Sequence, residues 1–272
     1  MRRTLCLFLG LALLLATRAS AQDLVPSAQG DFDDYVLALS WQPGFCQSVH
    51  DGRKAQFMFE HVEPLECANQ PELEDRAEYL TVHGLWPSLP HSLEYRVSES
   101  EWRNVGCAAV GVEYPYVNAG IKCAAPRLDL GEDTLGLLAA DMPGANGQSC
   151  LERYEYAKHG ICFGFDPDVY FRTAVRLNRE IKASFMGRVL RERYGEEISR
   201  PVLMYALGGL LGHQTLRRVR LICQESEDGA YLKEIQIPLR RDAINRPLGP
   251  DSLGKALEPG NCGVFILDAR GY

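Results

Sequence analysis

The sequence predicts an α+β fold, a central antiparallel sheet with helices packed on it and disulfides closing it. Three observations carry that expectation. Apolar residues alternate at strand period near the N-terminus and again in the C-terminal third, while the middle of the chain runs at helical period between helix-starting and helix-ending residues. Beyond residue 21 the chain holds an even set of cysteines: Cys46, Cys67, Cys107, Cys123, Cys150, Cys162, Cys223 and Cys262. Finally, 272 residues with 46% hydrophobic content are enough for one sizeable core, and no repeat, low-complexity tract or linker divides them.

Taken in chain order, residues 1–21 read as a secretory signal peptide. Arg2 and Arg3 precede an apolar run from Leu5 to Ala16, and Ala19-Ser20-Ala21 forms a small-residue cleavage site. The run is short for a membrane span. Residues 22–272 are then expected to form a single domain. Asp34 to Trp41 alternates Tyr35, Leu37, Leu39 and Trp41 against smaller residues, a strand pattern. Tyr79 to Val82 reads as a second strand with His83 at its end, turned by Gly84 and Pro87. Ser149 to His159 reads as a helix, with Ser149 and Glu152 at capping-box spacing and Gly160 as a left-handed C-cap.

Asp166 and Pro167 read as the N-cap and first position of a long helix reaching about Tyr194, broken near Gly187. Arg200 to Gly209 is a further helix. Val219 to Gln224, a turn at Asp228-Gly229, Tyr231 to Pro238 and Gly263 to Asp268 read as strands.

Export makes the cysteines disulfide candidates, up to four bridges whose pairing has 105 solutions. No C-x-x-C or H-x-x-x-H is present, which argues against zinc. Of 29 basic residues, Arg2, Arg3 and Arg18 leave with the signal, so 26 remain against 36 acidic ones, a net of about −10. Such a chain does not coat nucleic acid non-specifically, although a local positive cleft remains compatible with a nucleic-acid substrate.

Two histidines have unusual surroundings. His83 lies in His83-Gly84-Leu85-Trp86-Pro87, and His159 in Glu155-Tyr156-Ala157-Lys158-His159-Gly160. On a helix, Glu155 and His159 share a face. Two imidazoles with ordinary values of about 6.5 can divide the work of a proton donor and a proton acceptor near neutral pH. Metal-free cleavage of RNA needs both acts, removing the 2′-OH proton and protonating the leaving 5′-oxygen. Lys158 could stabilise charge on the phosphate, and Glu155 could hold His159 or polarise the phosphorane. Spacing alone also fits structural histidines, a solvated helix face and a packed Trp-Pro corner.

These two strings resemble the paired active-site segments of the ribonuclease T2 family. The segment Tyr35 to Cys46 resembles that family's N-terminal strand, ending in a Trp and a Phe-Cys, and Asn261-Cys262 resembles its C-terminal end. Leu151 to Asp168 and Asn261 to Tyr272 are similar to bacterial periplasmic members. The resemblance implies an α+β ribonuclease that cleaves single-stranded RNA through a 2′,3′-cyclic phosphate, without metal or other cofactor, as a monomer in a periplasm.

Carried across residue by residue, it implies His83 as general acid and His159 as general base. Glu155 and Lys158 would stabilise the pentacoordinate phosphate, and Cys223 would pair with Cys262. Trp86 would lie near the phosphate or base, with Trp41 available for base stacking. Two departures stand out. Tyr154 occupies the position of a phosphate-binding histidine, which implies weaker phosphate binding. Ser88, Leu89 and Pro90 stand where a purine-reading Asp is found in fungal members, so Ser88 would discriminate bases poorly and base preference would be broad. His50 and His91 are expected at the surface. The runs Arg217-Arg218-Val219-Arg220 and Arg240-Arg241 fit a solvated face better than an RNA path. Two rivals differ in class, a non-catalytic RNA-binding relative and a phosphodiesterase for small cyclic nucleotides.

Overall fold

The computed structural model describes residues 22–55, 64–68, 72–113, 119–145, 149–227 and 229–267. Residues 1–21, expected to be a signal peptide, and Asp228 and Asp268 lie outside the described residues. Strands β1 (Asp34–Trp41), β2 (Leu80–Pro87), β3 (Glu197–Ser199), β4 (Arg220–Ser226), β5 (Gly229–Arg240) and β6 (Val264–Ile266) join in one sheet of order β2-β1-β5-β6-β3, with β4 on the other edge of β5. All pairings between these strands are antiparallel except a parallel bridge between Tyr231 of β5 and Ile266 of β6.

Helices α1 (Gln42–Ala55), α2 (Leu65–Ala68), α3 (Glu99–Val105), α4 (Glu132–Asp141), α5 (Leu151–His159), α6 (Pro167–Ala183), α7 (Phe185–Glu192), α8 (Arg200–Leu211) and α9 (Thr215–Arg218) surround the sheet. The α+β expectation holds. The three-residue strand β3 has too little alternation to be read from sequence.

The alternation in β1 becomes the core. Tyr35, Leu37, Leu39 and Trp41 are fully buried and face Leu239, Ile237 and Ile235 of β5 across the ladder. Burying each such side chain contributes about 1.5–3 kcal/mol. Phe163, Phe165 and Tyr170 stack beyond Tyr35 and carry this core under α6. Because facing residues on paired strands share a face, Glu234 and Gln236 fall with Ser40 and Ala38 on the opposite face of the sheet.

Four local expectations are corrected. First, β2 does not end at His83 but runs on to Pro87. Ala38 pairs with Gly84 and Leu39 with Val82, so His83 is the extra residue of a β-bulge, and neither Gly84 nor Pro87 makes a turn. Second, α5 has no capping box. Its N-cap is Cys150 in a left-handed conformation, and the Ser149 hydroxyl instead donates to Glu66 at 2.8 Å. Third, Gly160 has φ −112° and is not left-handed. A Cβ there would come within 2.5 Å of the Tyr156 ring, so close packing demands the glycine. Fourth, the long helix breaks at Ser184, not Gly187. The Ser184 hydroxyl accepts from the Met186 N–H and caps α7.

The eight cysteines pair as Cys46–Cys67, Cys107–Cys162, Cys123–Cys150 and Cys223–Cys262, the last as the resemblance implies. Two of these bridges flank α5. Cys150 immediately precedes Leu151, and Cys162 follows His159 by three residues.

Candidate active site

The bulge aims the His83 ring. A bulged residue has no partner across the ladder, so its side chain is not held in the regular pleat. The His83 Nδ1 lies 2.8 Å from Glu234 Oε2, on the non-core face of β5. Its Nε2 lies 3.5 Å from Glu155 Oε1. The other Glu155 oxygen accepts a hydrogen bond from the Trp86 indole N–H at 2.6 Å, and His159 Nε2 stands 4.0 Å from it. The Trp86 ring stacks on His159 and meets His83 edge-on, with 5.3 Å between centroids in each case. One buried carboxylate, Glu155, therefore faces both histidines.

Two elements deliver these groups. The helical spacing of Glu155 and His159 puts both on the face of α5 turned to β2. Gly84 permits the close approach. A Cβ there would lie 2.2 Å from Glu155 Oε2 and 2.3 Å from Trp86 Nε1. The Tyr170 hydroxyl donates to the Leu85 carbonyl at 2.7 Å and fixes β2 from the α6 side.

The two imidazoles sit in opposed electrostatic settings. Burial works against a charged His83, but the carboxylates of Glu234 and Glu155 outweigh it, and its pKa is raised above 6.5. The His159 ring is buried, and that burial, together with the charges of Lys158 and His83, holds its pKa well below 6.5. Its Nδ1 is enclosed without a hydrogen-bond partner among the described residues. The setting of the first ring favours the protonated imidazolium and that of the second favours the neutral imidazole. Burial lowers the pKa of Lys158; the nearby Glu155 carboxylate opposes that, and the charge of Lys122 adds to it.

His83, Glu155, Trp86 and His159 thus come together. Lys158 and Tyr154 adjoin them, the Lys158 ammonium standing 5.6 Å from the Tyr154 ring centre. Lys122, which the sequence did not single out, stands at the same distance from that ring. One base-contact candidate is corrected. Trp41 is fully buried against Tyr79 and Tyr194 in the core and presents no face to a base. The Ser88 hydroxyl accepts the Asp34 N–H at 3.2 Å and the Ser88 N–H bonds the Asp34 carbonyl at 2.8 Å, so Ser88 extends the β1–β2 ladder while its O–H remains able to donate.

His91 is exposed between Asp33 and Glu94, and His50 is half-buried beside Asp51. The arginine runs mostly serve the fold. Arg218 donates to the carbonyls of Leu253 and Gly254, Arg240 pairs with Asp242, and Arg241 lies over Phe32.

Glu234, like Lys122, is a residue that sequence reasoning missed. In Lys233-Glu234-Ile235-Gln236-Ile237 it reads as the polar face of a half-buried strand, which is also what a surface strand looks like. Glu234 is in fact buried, and its Oε1 accepts from Gln236 at 2.6 Å.

The family model of the Ribonuclease T2 family matches residues 32–247. Ribonuclease I of Escherichia coli (strain K12) is 47% identical over 267 residues, covering 97% of this chain and 96% of that protein. A probable ribonuclease of Haemophilus influenzae is 28% identical over 156 residues, 57% of this chain and 46% of its own. Among solved structures, ribonuclease MC1 from bitter gourd seeds superposes with TM-score 0.51 at 18% identity, over 86% of this chain and 100% of its own. A mutant of the same enzyme in complex with 5′-UMP gives TM-score 0.51 at 19% identity, over 87% and 98%. At these identities the two structures show a shared fold.

Proposed function

The chain belongs to the ribonuclease T2 family and is an endoribonuclease, and from that premise we propose that His159 and His83 are its general base and general acid on single-stranded RNA. The observation that carries this reading is the opposed pull on two imidazoles that face one carboxylate, Glu155. In the first step His159 takes the proton of the ribose 2′-OH, and the 2′-oxygen forms its bond to phosphorus. The bond from phosphorus to the 5′-oxygen breaks, and His83 Nε2–H protonates that oxygen as it leaves.

The products are a 2′,3′-cyclic phosphate and a 5′-OH. In the slower second step His83 accepts a proton from water, and His159 returns one to the 2′-oxygen. Lys158 offsets charge on the non-bridging oxygens, and Glu155, held by the Trp86 indole between the two rings, helps stabilise the pentacoordinate phosphate. Tyr154, between the Lys122 and Lys158 ammoniums, borders the phosphate position. Both proton transfers are supplied by side chains, so the reading requires no metal. With Trp41 buried and only a hydroxyl at Ser88, base preference is broad.

The four disulfides fit an oxidising compartment, and among the described residues no helix is long and apolar enough to cross a membrane. We place the mature chain, from residue 22 as a single domain, in a periplasm as a monomer.

Product analysis on a defined RNA oligomer tests the roles. His83→Ala and His159→Ala should each lower cleavage by about 100-fold or more with the fold retained. Wild type should release a cyclic phosphate in the presence of EDTA and leave DNA, which lacks the 2′-OH, intact. Near-normal cleavage by either variant, or loss of activity in EDTA, would contradict the reading.

A further inference from the structure

We propose that Glu234 is the positioning residue that keeps His83 in place as a proton donor, a deepening that rests on the acid role of His83 given above. The bulge in β2 leaves His83 without a cross-strand neighbour, so the ladder does not fix its ring. The 2.8 Å contact from Nδ1 to Glu234 Oε2 does so. In that contact Nδ1–H donates to the carboxylate, which leaves Nε2 to meet the 5′-oxygen. Glu234 is itself held. It is buried, and Gln236, two residues along the same strand face, donates to its other oxygen at 2.6 Å. Both oxygens are thereby engaged, and the carboxylate is turned toward the histidine.

The charged and titratable groups around His83 come from several elements. Glu234 faces it from β5, and Glu155 and His159 from α5. Lys122 acts on it from the 3-10 segment Ala119–Ala124. Lys158 on α5 neighbours His159 and Glu155. The two carboxylates favour the protonated ring and Lys122 opposes it. Glu234 is the one in hydrogen-bond contact. Glu155 is shared with Trp86 and His159, so it cannot serve His83 alone. The division of labour is therefore spatial. Glu155 faces the reacting groups, and Glu234 stands behind the acid.

The first test needs no variant. An NMR titration of the wild-type enzyme should give the His83 ring a midpoint above the ordinary value of about 6.5. A midpoint at or below that value overturns the proposal. In the second test, Glu234→Gln keeps the side-chain shape and removes the charge. It should lower kcat for RNA by about 10–100-fold while KM stays within about two-fold. The alkaline limb of its kcat profile should move to lower pH, because His83 must be protonated in that step.

In hydrolysis of a 2′,3′-cyclic nucleotide the same ring acts as base, so there it is the acidic limb that should move down. Glu234→Asp, which restores the charge, should recover part of the rate. Unmoved limbs, or a change in KM alone, overturn the proposal. His83→Ala measured alongside separates the two readings. If it remains active, the acid assignment fails. If it is inactive while Glu234→Gln keeps the wild-type profile, only the role of Glu234 fails. Should Glu234→Gln not fold, Gln236→Ala leaves the charge but frees the carboxylate to turn. It should lower kcat by at least about three-fold, and an unchanged kcat would overturn the proposal.

Discussion

A single methyl group at residue 84 would separate Glu155 from Trp86. The Cβ of an alanine there would lie 2.2 Å from the carboxylate and 2.3 Å from the indole nitrogen, inside any permitted contact. The hydrogen bond between them at 2.6 Å would be lost, and the carboxylate displaced from both histidines. Gly84→Ala is therefore expected to cost about 1–3 kcal/mol of stability. It should also lower RNA cleavage by at least about ten-fold. Urea unfolding and initial rates check this, and a fully active variant would show that Glu155 need not be held. The glycine itself was legible, but its reason was not. Read along the chain it looks like a turn residue, and only the packing of α5 on β2 reveals the close approach.

Helix α5 carries Glu155, Lys158 and His159, and it is short, nine residues from Leu151 to His159. An isolated helix of that length is marginal in water, so its surroundings hold it. No side chain caps its N-terminus. Cys123–Cys150 fixes the start, and Cys107–Cys162 fixes the turn beyond the end. Replacing Cys107 and Cys162 together by alanine removes a constraint between residues 55 apart and should cost about 2–4 kcal/mol. An unfolding midpoint in urea equal to that of wild type would refute the helix-clamp role. Periodicity was enough to read β1, α6 and α8. It could not reveal the bulge in β2, because an extra residue shifts the register without changing the composition.

Across the whole molecule the two histidines tie stability to pH in different windows. The pKa of His159 is lowered on folding, so its contribution is intact above about 6.5 and is lost as pH falls below that toward its folded value. The maximum slope is about 1.4 kcal/mol per pH unit. The pKa of His83 is raised, so its contribution is complete below about 6.5 and is lost as pH rises through its folded value. The pKa of Glu234 is lowered despite burial, chiefly by the charge of His83, and its contribution fades only below the ordinary carboxylate range. Urea denaturation of His159→Gln from pH 7 to pH 5 should accordingly show a shallower loss of stability than wild type. Parallel curves would mean that His159 is not held neutral by burial.

The sequence by itself determined the chemistry available to this protein and the family to which it belongs. The strings around His83 and His159, the order of strands and helices, and an even set of cysteines beyond residue 21 are all local, and local pattern is what a chain displays directly. The tertiary structure decided which groups meet. Trp41, Ser88 and Glu234 were each one polar or aromatic residue on an alternating strand or at its end. Burial sent Trp41 into the core, the β1–β2 ladder took the Ser88 hydroxyl as an acceptor, and the register of β1 with β5 carried Glu234 to the bulged histidine, 151 positions away in sequence. The opposed proton affinities of His83 and His159 have the same origin. Imidazole chemistry is identical at both positions, and only desolvation and neighbouring charges, which depend on packing, raise the pKa of one ring and lower that of the other.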